Sequence, residues 1–400
     1  MRIVELGSSV EVVTKGTTPT SVGKRFTESG VRFLRAQNVI NGKVFINDDI
    51  LFIDEETHNS ELQRSQIKKG DVLVTIAGTI GRTAIVEIEE DLNCNQAVAI
   101  IRLGDSQINS NFLCHFISSP NAQSQFVKGK VTATIPNLSL EQVKKLKIPL
   151  PPLDQQKKIA SILDEADTYR QKTKALIAKY NELTQSLFID MFGDPVKNPK
   201  GWRKNTLENI TSKIGSGATP RGGKEAYKEE GISLIRSLNV YDNRFKYKNL
   251  AFIDSDQAFK LKNVIVQEND VLFNITGASI CRSTVVPNDV LPARVNQHVS
   301  IIRPNRAIIY SLFLSHLLIS LNVKRKLLGI GSGGGAVMEA ITKEQLQNFK
   351  IIIPPIDLQN QFKERVQAIE AQKSQAKASL VQAEDLFNSL IQRAFKGELV

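Results

Sequence analysis

Short apolar runs separated by turns, followed by one long amphipathic stretch, make up the first half of this chain, and the second half repeats the pattern. Val31-Arg32-Phe33-Leu34, Val44-Phe45-Ile46, Asp71 to Ile76 and Ala97 to Ile101 are short and rich in β-branched residues. Asn41-Gly42 and Lys69-Gly70-Asp71 punctuate them as turns, so the runs predict strands. Short helices are predicted around Phe112 to Ser118 and Ser139 to Leu146, the second opened by a Ser139-x-x-Gln142 capping box. Residues 203–351 give the same series again, with Val271 to Ile275 and Val299 to Ile302 in the corresponding places. Each half therefore predicts an α/β (α+β) domain with a mostly β core.

From Gln155 to Phe192 no Pro or Gly intervenes. Ile159, Ile162, Ala166, Tyr169, Thr173, Leu176, Tyr180, Leu183 and Leu187 recur there at alternating steps of three and four, the spacing of a heptad seam. A second stretch, Leu358 to Phe395, carries Phe362, Val366, Ile369, Leu380, Ala383, Phe387 and Leu390 in a similar spacing, with Ala376 and, less regularly, Lys373 in register. The two stripes are expected to cover one another as an antiparallel coiled coil. A helix of this size spans roughly 50–60 Å at about 1.5 Å per residue. Pro-Pro pairs precede both stretches, and Asp154 and Asp357 are the expected caps.

The duplication reaches individual motifs. Gly16-Thr17-Thr18-Pro19, Gly30, Arg35, Asn38, Asp71-Val72-Leu73, Gly78, Arg82 and Asn95-Gln96 return in order about 200 residues later. Their counterparts are Gly217-Ala218-Thr219-Pro220, Gly231, Arg236, Asn239, Asp270-Val271-Leu272, Gly277, Arg282 and Asn296-Gln297. Such a period duplicates a whole domain with its helix, and gives the expected division. Residues 1–150 form one domain, 151–193 a helix, 194–202 a linker around the anchoring Trp202, 203–353 the second domain and 354–400 the second helix. An internal pseudo-twofold repeat follows.

Composition narrows the class. The chain has 400 residues, 41% hydrophobic and 23% charged, enough for two ordinary cores. A net charge of +11 favours an anionic partner. Cys94, Cys114 and Cys281 form no CxxC pair, and neither a signal peptide nor an apolar span is legible, so a cytoplasmic protein away from membranes is expected.

The repeated motifs carry a resemblance. Lys15-Gly16-Thr17-Thr18-Pro19 with Ser216-Gly217-Ala218-Thr219-Pro220, Thr75 to Arg82 with Asn274 to Arg282, the two Asn-Gln pairs, and Ile148 to Gln156 with Ile351 to Gln359 together resemble the specificity subunit of type I restriction–modification systems. The resemblance covers essentially the whole chain. Cys281 stands where the first copy has Gly81, and Leu358 where it has Gln155. It implies a non-enzymatic reader of double-stranded DNA with two target recognition domains, one for each half of a bipartite site, and paired helices as the spacer. It also implies two methyltransferase subunits carrying S-adenosylmethionine and a restriction subunit using ATP as partners, with no cofactor in this chain. A coiled-coil adaptor with two binding domains is the alternative.

Arg pairs with guanine and Asn or Gln with adenine, while Lys and Arg hold phosphates. On that chemistry the candidates are Lys15, Thr17, Lys24, Arg25, Arg35, Asn38, Arg82, Lys128 and Lys130 in the first domain. In the second they are Arg221, Lys224, Arg236, Asn239, Arg244 and Arg282. Positions shared by both halves cannot by themselves tell two sequences apart, so they are expected to shape the fold or hold phosphates. Base readers should differ between copies, which directs attention to 128–134 against 329–337 and to Lys24-Arg25 against Arg221 to Lys224. The run Gly329 to Gly335 lacks the Lys-Ser/Thr end of a P-loop and reads as a loop. His58, His115, His298 and His316 show no ligand spacing and no metal is expected, although His298 beside Asn296-Gln297 merits a test. No Asn/Asp-Pro-Pro-aromatic motif is present for base methylation.

Overall fold

Buried β-strands flanked by helices form the core of each copy. The computed structural model describes residues 2–40, 42–127, 137–331 and 340–399. Two compact units emerge, Met1–Ala175 with Lys377–Val400, and Leu176–Ala376.

In the first unit a six-stranded sheet has the order Val12–Lys15, Val98–Arg102, Val72–Thr75, Thr83–Ile85, Gly42–Val44, Val39–Ile40. Only the pairing of Gly42–Val44 with Thr83–Ile85 is parallel. Val72–Thr75 is buried at every position because both faces of the sheet are covered, which explains why the sequence there is continuously apolar. Val72 and Val74 face a cluster with Phe112, Phe116 and the long-helix residues Ile159, Leu163 and Phe395, whereas Leu73 joins Leu34, Val98 and Ile100 on the other side. A three-stranded sheet, Leu51–Ile53, Val31–Leu34, Leu92–Cys94, and a pair joining Arg2–Glu5 to Lys147–Leu150 complete the unit.

The second unit repeats the scheme. Thr211–Ser216, Val299–Pro304, Val271–Asn274 and Ser283–Val285 form one sheet, and Ala251–Ile253, Ile232–Ile235, Ala293–Val295 and Ile265–Val266 another. The hairpin Val240–Tyr241/Arg244–Phe245 is a sheet of its own, joined to its neighbour where Asn243 N–H donates to Ser283 O at 2.8 Å. Helices Pro120–Val127 and Leu321–Gly331 were not foreseen, and the latter absorbs Gly329 to Gly331, expected as loop. The predicted strand Val44 to Ile46 is instead Gly42–Val44.

Recurring polar residues support this frame. Arg102 forms a bidentate pair with the buried Asp71 at 2.9 and 2.7 Å, as Arg303 does with Asp270 at 2.7 and 2.8 Å. Gln156 is fully buried, accepts from Asn109 N–H at 2.9 Å and donates to the carbonyls of Gln107 and Pro151. Gln359 does the same with Tyr310 N–H and the carbonyls of Ile308 and Pro354. These glutamines fasten each long helix to its domain. The exchange of Gln155 for Leu358 leaves them untouched. His58, His115 and His316 bond to Asn93, Asp164 and Asn243 respectively, and burial pushes His316 down to about 4, so it is neutral.

The long helices run Leu153–Phe192 and Ile356–Lys396, each supplying residues to both units. Both start before the expected caps, so Asp154 and Asp357 lie in the first turn, and the carbonyls of Pro152 and Pro355 accept the first helical N–H groups. Within the first unit the helices are antiparallel, with Lys174 Nζ 3.1 Å from Glu384 Oε1 and the Arg170 guanidinium over the Phe387 ring at 4.3 Å. In the second unit Phe188 and Phe192 pack on Phe362. The second helix buries its expected stripe at Phe362, Val366, Ala376, Ala383 and Phe387, with Ile369, Leu380 and Leu390 half-buried and Lys373 bonded to Glu370 in the same register.

The first helix departs from the expected register. Ile159, Ala166, Thr173, Tyr180 and Leu187 do face inward, but the alternate positions are Leu163, Arg170, Ile177, Thr184 and Met191. Ile162, Leu176 and Leu183, predicted to pair, are 36%, 43% and 50% exposed, and Tyr169 is 55% exposed. An apolar residue stands beside the true seam at each of these steps, so periodicity alone could not choose. The helix ends at Gly193, whose φ of +75° suits glycine, and Trp202 Nε1 donates to Phe192 O at 2.8 Å as an anchor.

Candidate nucleic-acid interface

The repeated motifs converge on one end of each main sheet. In the first unit, register places Lys15 opposite Ala99, Thr75 opposite Val98, Thr83 opposite Val74 and Gly42 beside Ala84. The loops leaving these positions therefore lie together: Gly16 to Pro19, Asn95 to Ala97, Ile76 to Arg82 and the start of the hairpin strand at Gly42. Gly16 N–H donates to Val98 O at 3.0 Å and Thr17 N–H to Cys94 O at 3.0 Å. A Cβ on Gly16 would sit 2.1 Å from Cys94 O, so only glycine permits this approach. Gly217 is under the same constraint, with Val295 O at 1.8 Å from its would-be Cβ.

The side chains above these backbones are polar. Thr18 donates its hydroxyl hydrogen to Gln96 Oε1, and Thr219 to Gln297 Oε1 at 2.5 Å. In the second copy the line continues, with Gln297 Nε2 3.1 Å from His298 Nε2 and His298 Nδ1 2.6 Å from Thr276 Oγ1. Ala97 and Ala77 occupy the matching positions of the first copy. His298, singled out for a test, thus belongs to this edge.

The named candidates divide. Lys15 and Thr17 are on the edge, and Arg64, missed in the sequence, donates to Thr17 Oγ1 at 3.2 Å. Arg25, Arg82, Arg221 and Arg244 are exposed and Arg282 is half-buried. Arg35 donates to Asp49 O at 2.7 Å, and Arg236 to Asn249 O. Lys24 is held by Glu61 at 3.2 Å and Glu56 at 3.7 Å, and the Glu61 hydrogen bond raises its pKa. A phosphate would have to compete with two carboxylates for it. Asn38 and Asn239 are engaged inside their hairpins: both are buried, accept from Arg35 and Arg236 N–H, and donate to Phe45 O and Lys246 O. Lys128, Lys130, the Lys224 side chain and most of the two glycine and lysine segments compared above lie outside the described residues.

In the second copy a basic group surrounds Tyr241. The guanidinium carbons of Arg282 and Arg244 lie 4.5 and 4.9 Å from the centre of its ring, and Lys246 Nζ donates to its hydroxyl at 3.4 Å. The Lys246 hydrogen bond, aided by Arg282, lowers the Tyr241 pKa. Cations gathered on an aromatic face beside a polar loop edge are suited to an anionic, base-bearing ligand. Among the described residues no cluster of His, Cys, Asp or Glu could hold a metal ion, and no helix is long and apolar enough to cross a membrane.

The family model for the type I restriction modification DNA specificity domain matches residues 2–185 and again 199–382. The chain belongs to that family. Its role is therefore that of a DNA specificity subunit, the non-catalytic component, rather than of a methyltransferase or nuclease. The type I restriction enzyme EcoBI specificity subunit of Escherichia coli is 28% identical over 218 residues, 51% of this chain and 45% of that protein. The MjaIX specificity subunit of Methanocaldococcus jannaschii is 22% identical over 412 residues, covering 97% of this chain and 91% of its own. A chain from a structure describing complex assembly and conformational transition of the type I R-M system shares the fold, with a TM-score of 0.63, 20% identity, and coverage of 100% of this subunit and 98% of its own length.

Proposed function

We propose that the two sheet ends of this specificity subunit each read one half of a bipartite double-stranded DNA site, with 1–150 and 203–353 as target recognition domains and the long helices as the spacer between half-sites. The carrying observation is the recurrence of one loop edge twice, built on the same glycines and amides but finished with different side chains. Lys15, Thr17, Arg25 and Arg82 serve the first half-site, and Arg221, Arg244 and Arg282 the second. Two methyltransferase subunits bring S-adenosylmethionine, and a restriction subunit brings ATP. The exposed heptad stripe Ile162, Tyr169, Leu176 and Leu183 supports helix docking of the methyltransferase. One B-DNA turn is about 34 Å, so a helix of this length supports half-sites one turn apart or somewhat more.

The test is selection from a random DNA pool by the subunit with its methyltransferase. Two short motifs at a fixed gap should be enriched, and binding should fall steeply with salt, because phosphate neutralisation releases counterions. Arg82→Ala, at an exposed position shared by both copies, should weaken binding to all sequences alike and reduce the logarithmic salt slope by about 1. Enrichment of one uninterrupted motif would contradict the proposal.

A further inference from the structure

The two hairpins beside the loop edge share one backbone frame and carry different outward faces. Asn38 and Asn239 hold them by equivalent bonds, to Phe45 O at 2.8 Å and Lys246 O at 2.9 Å. Ile40 pairs with Lys43 across the first hairpin, and Tyr241 with Arg244 across the second. By the two-residue period of a strand, Phe45 shares a face with Lys43, and Lys246 with Arg244. The inward residues Val44 and Phe245 pack against the cores in both copies. The outward set is thus Ile40, Lys43 and Phe45 in one copy, and Tyr241, Arg244 and Lys246 in the other.

The chemistry of the two faces differs where the frame does not. Ile40 and Phe45 are exposed, Phe45 by 56%, so the outward side of this hairpin carries two apolar side chains. In the second copy Tyr241 gathers Arg244, Lys246 and Arg282, and among the described residues none of these three has a carboxylate within ion-pairing distance. Lys24, Arg32, Lys69 and Lys228 elsewhere do have one. Three cations without a carboxylate partner, Arg244 and Lys246 from a two-stranded ribbon and Arg282 from beside it, call for an anion, and such a ribbon fits the DNA major groove.

We infer that these hairpins are base-reading elements, with Ile40 and Phe45 contacting a thymine methyl edge in one half-site and Lys246 with Arg244 contacting the N7 and O6 acceptors of guanine in the other. The inference rests on the DNA-reading role proposed above and assigns it to residues that differ between copies. Apolar side chains distinguish thymine by its methyl, whereas Lys and Arg favour guanine. Tyr241 is a positioning residue: its ring and hydroxyl hold the cations on one side of the ribbon.

Transplanting the first face onto the second hairpin tests this in the full chain. The variant Y241I/K246F, assembled with its methyltransferase, is put through the same random-pool selection as the wild type, with Lys246→Gln as a milder change that keeps the side-chain stem. Both are expected to lose roughly 5- to 150-fold preference for guanine at one position of one half-site, the range of a good base contact, and the double variant should gain preference for thymine there. The other half-site should be unchanged. A uniform loss of affinity with both half-site preferences intact would overturn the inference while leaving the proposed function standing. Failure of the wild type to enrich any sequence would overturn both.

Discussion

Asp71 and Asp270 illustrate how a repeated residue becomes scaffold rather than reader. Each carboxylate is buried, accepts two bonds from an Arg on the neighbouring strand, and takes a third from a backbone N–H of the preceding turn, Lys68 or Gln267. Removing one partner strands the other in low dielectric. Asp270→Ala should therefore cost about 3–5 kcal/mol, read as a lowered denaturation midpoint, whereas Lys69→Ala, which breaks the exposed pair with Glu89, should cost less than about 1 kcal/mol. Equal effects would refute the assignment. At this scale the duplication is informative in the sequence: Asn38, Arg35 and their counterparts are expected to shape the fold or hold phosphates, and both pairs make equivalent bonds within their own hairpins. What stayed hidden was Tyr241 with Lys246, because a cation cluster made by a hairpin and a distant Arg282 requires the pairing of strands that no local pattern specifies.

The long helices show the same division between legible and illegible at the level of an element. Their existence followed from uninterrupted amphipathic sequence, and the second seam was readable because few apolar residues compete with it. In the first, periodicity selects the neighbour of the true seam residue at every second step, since Ile162-Leu163 and Leu176-Ile177 offer two neighbouring apolar residues and Arg170 and Thr184 occupy inward positions that hydrophobicity would not select. The Arg170 guanidinium lies over Phe387, and Thr184 bonds back to Tyr180 O at 3.0 Å, so neither is out of place. Leu163→Ala should cost about 2–5 kcal/mol because it opens the core, while the exposed Leu176→Ala should cost about 0.5 kcal/mol or less. Thermal or denaturant melting of the two variants decides the register, and the reverse order would restore the seam read from periodicity.

For the molecule as a whole, duplication separates what must be common from what must differ. Glycines, buried amides and Arg–Asp pairs make the frame twice, and the hairpin faces and the His298–Thr276 pair of the second copy vary on it. Each long helix supplies residues to both units, and under the proposed function the gap between half-sites should follow helix length. Seven added residues, one heptad, keep each seam in phase and lengthen a helix by roughly 10 Å, about three base pairs at 3.4 Å each. The decisive measurement is methylome sequencing of cells expressing the chain with its methyltransferase, alongside a version with one heptad added to both helices. The expected result is a bipartite motif with two different half-sites, and the same half-sites about three base pairs further apart in the lengthened version. A single continuous motif, or an unchanged gap, would contradict it.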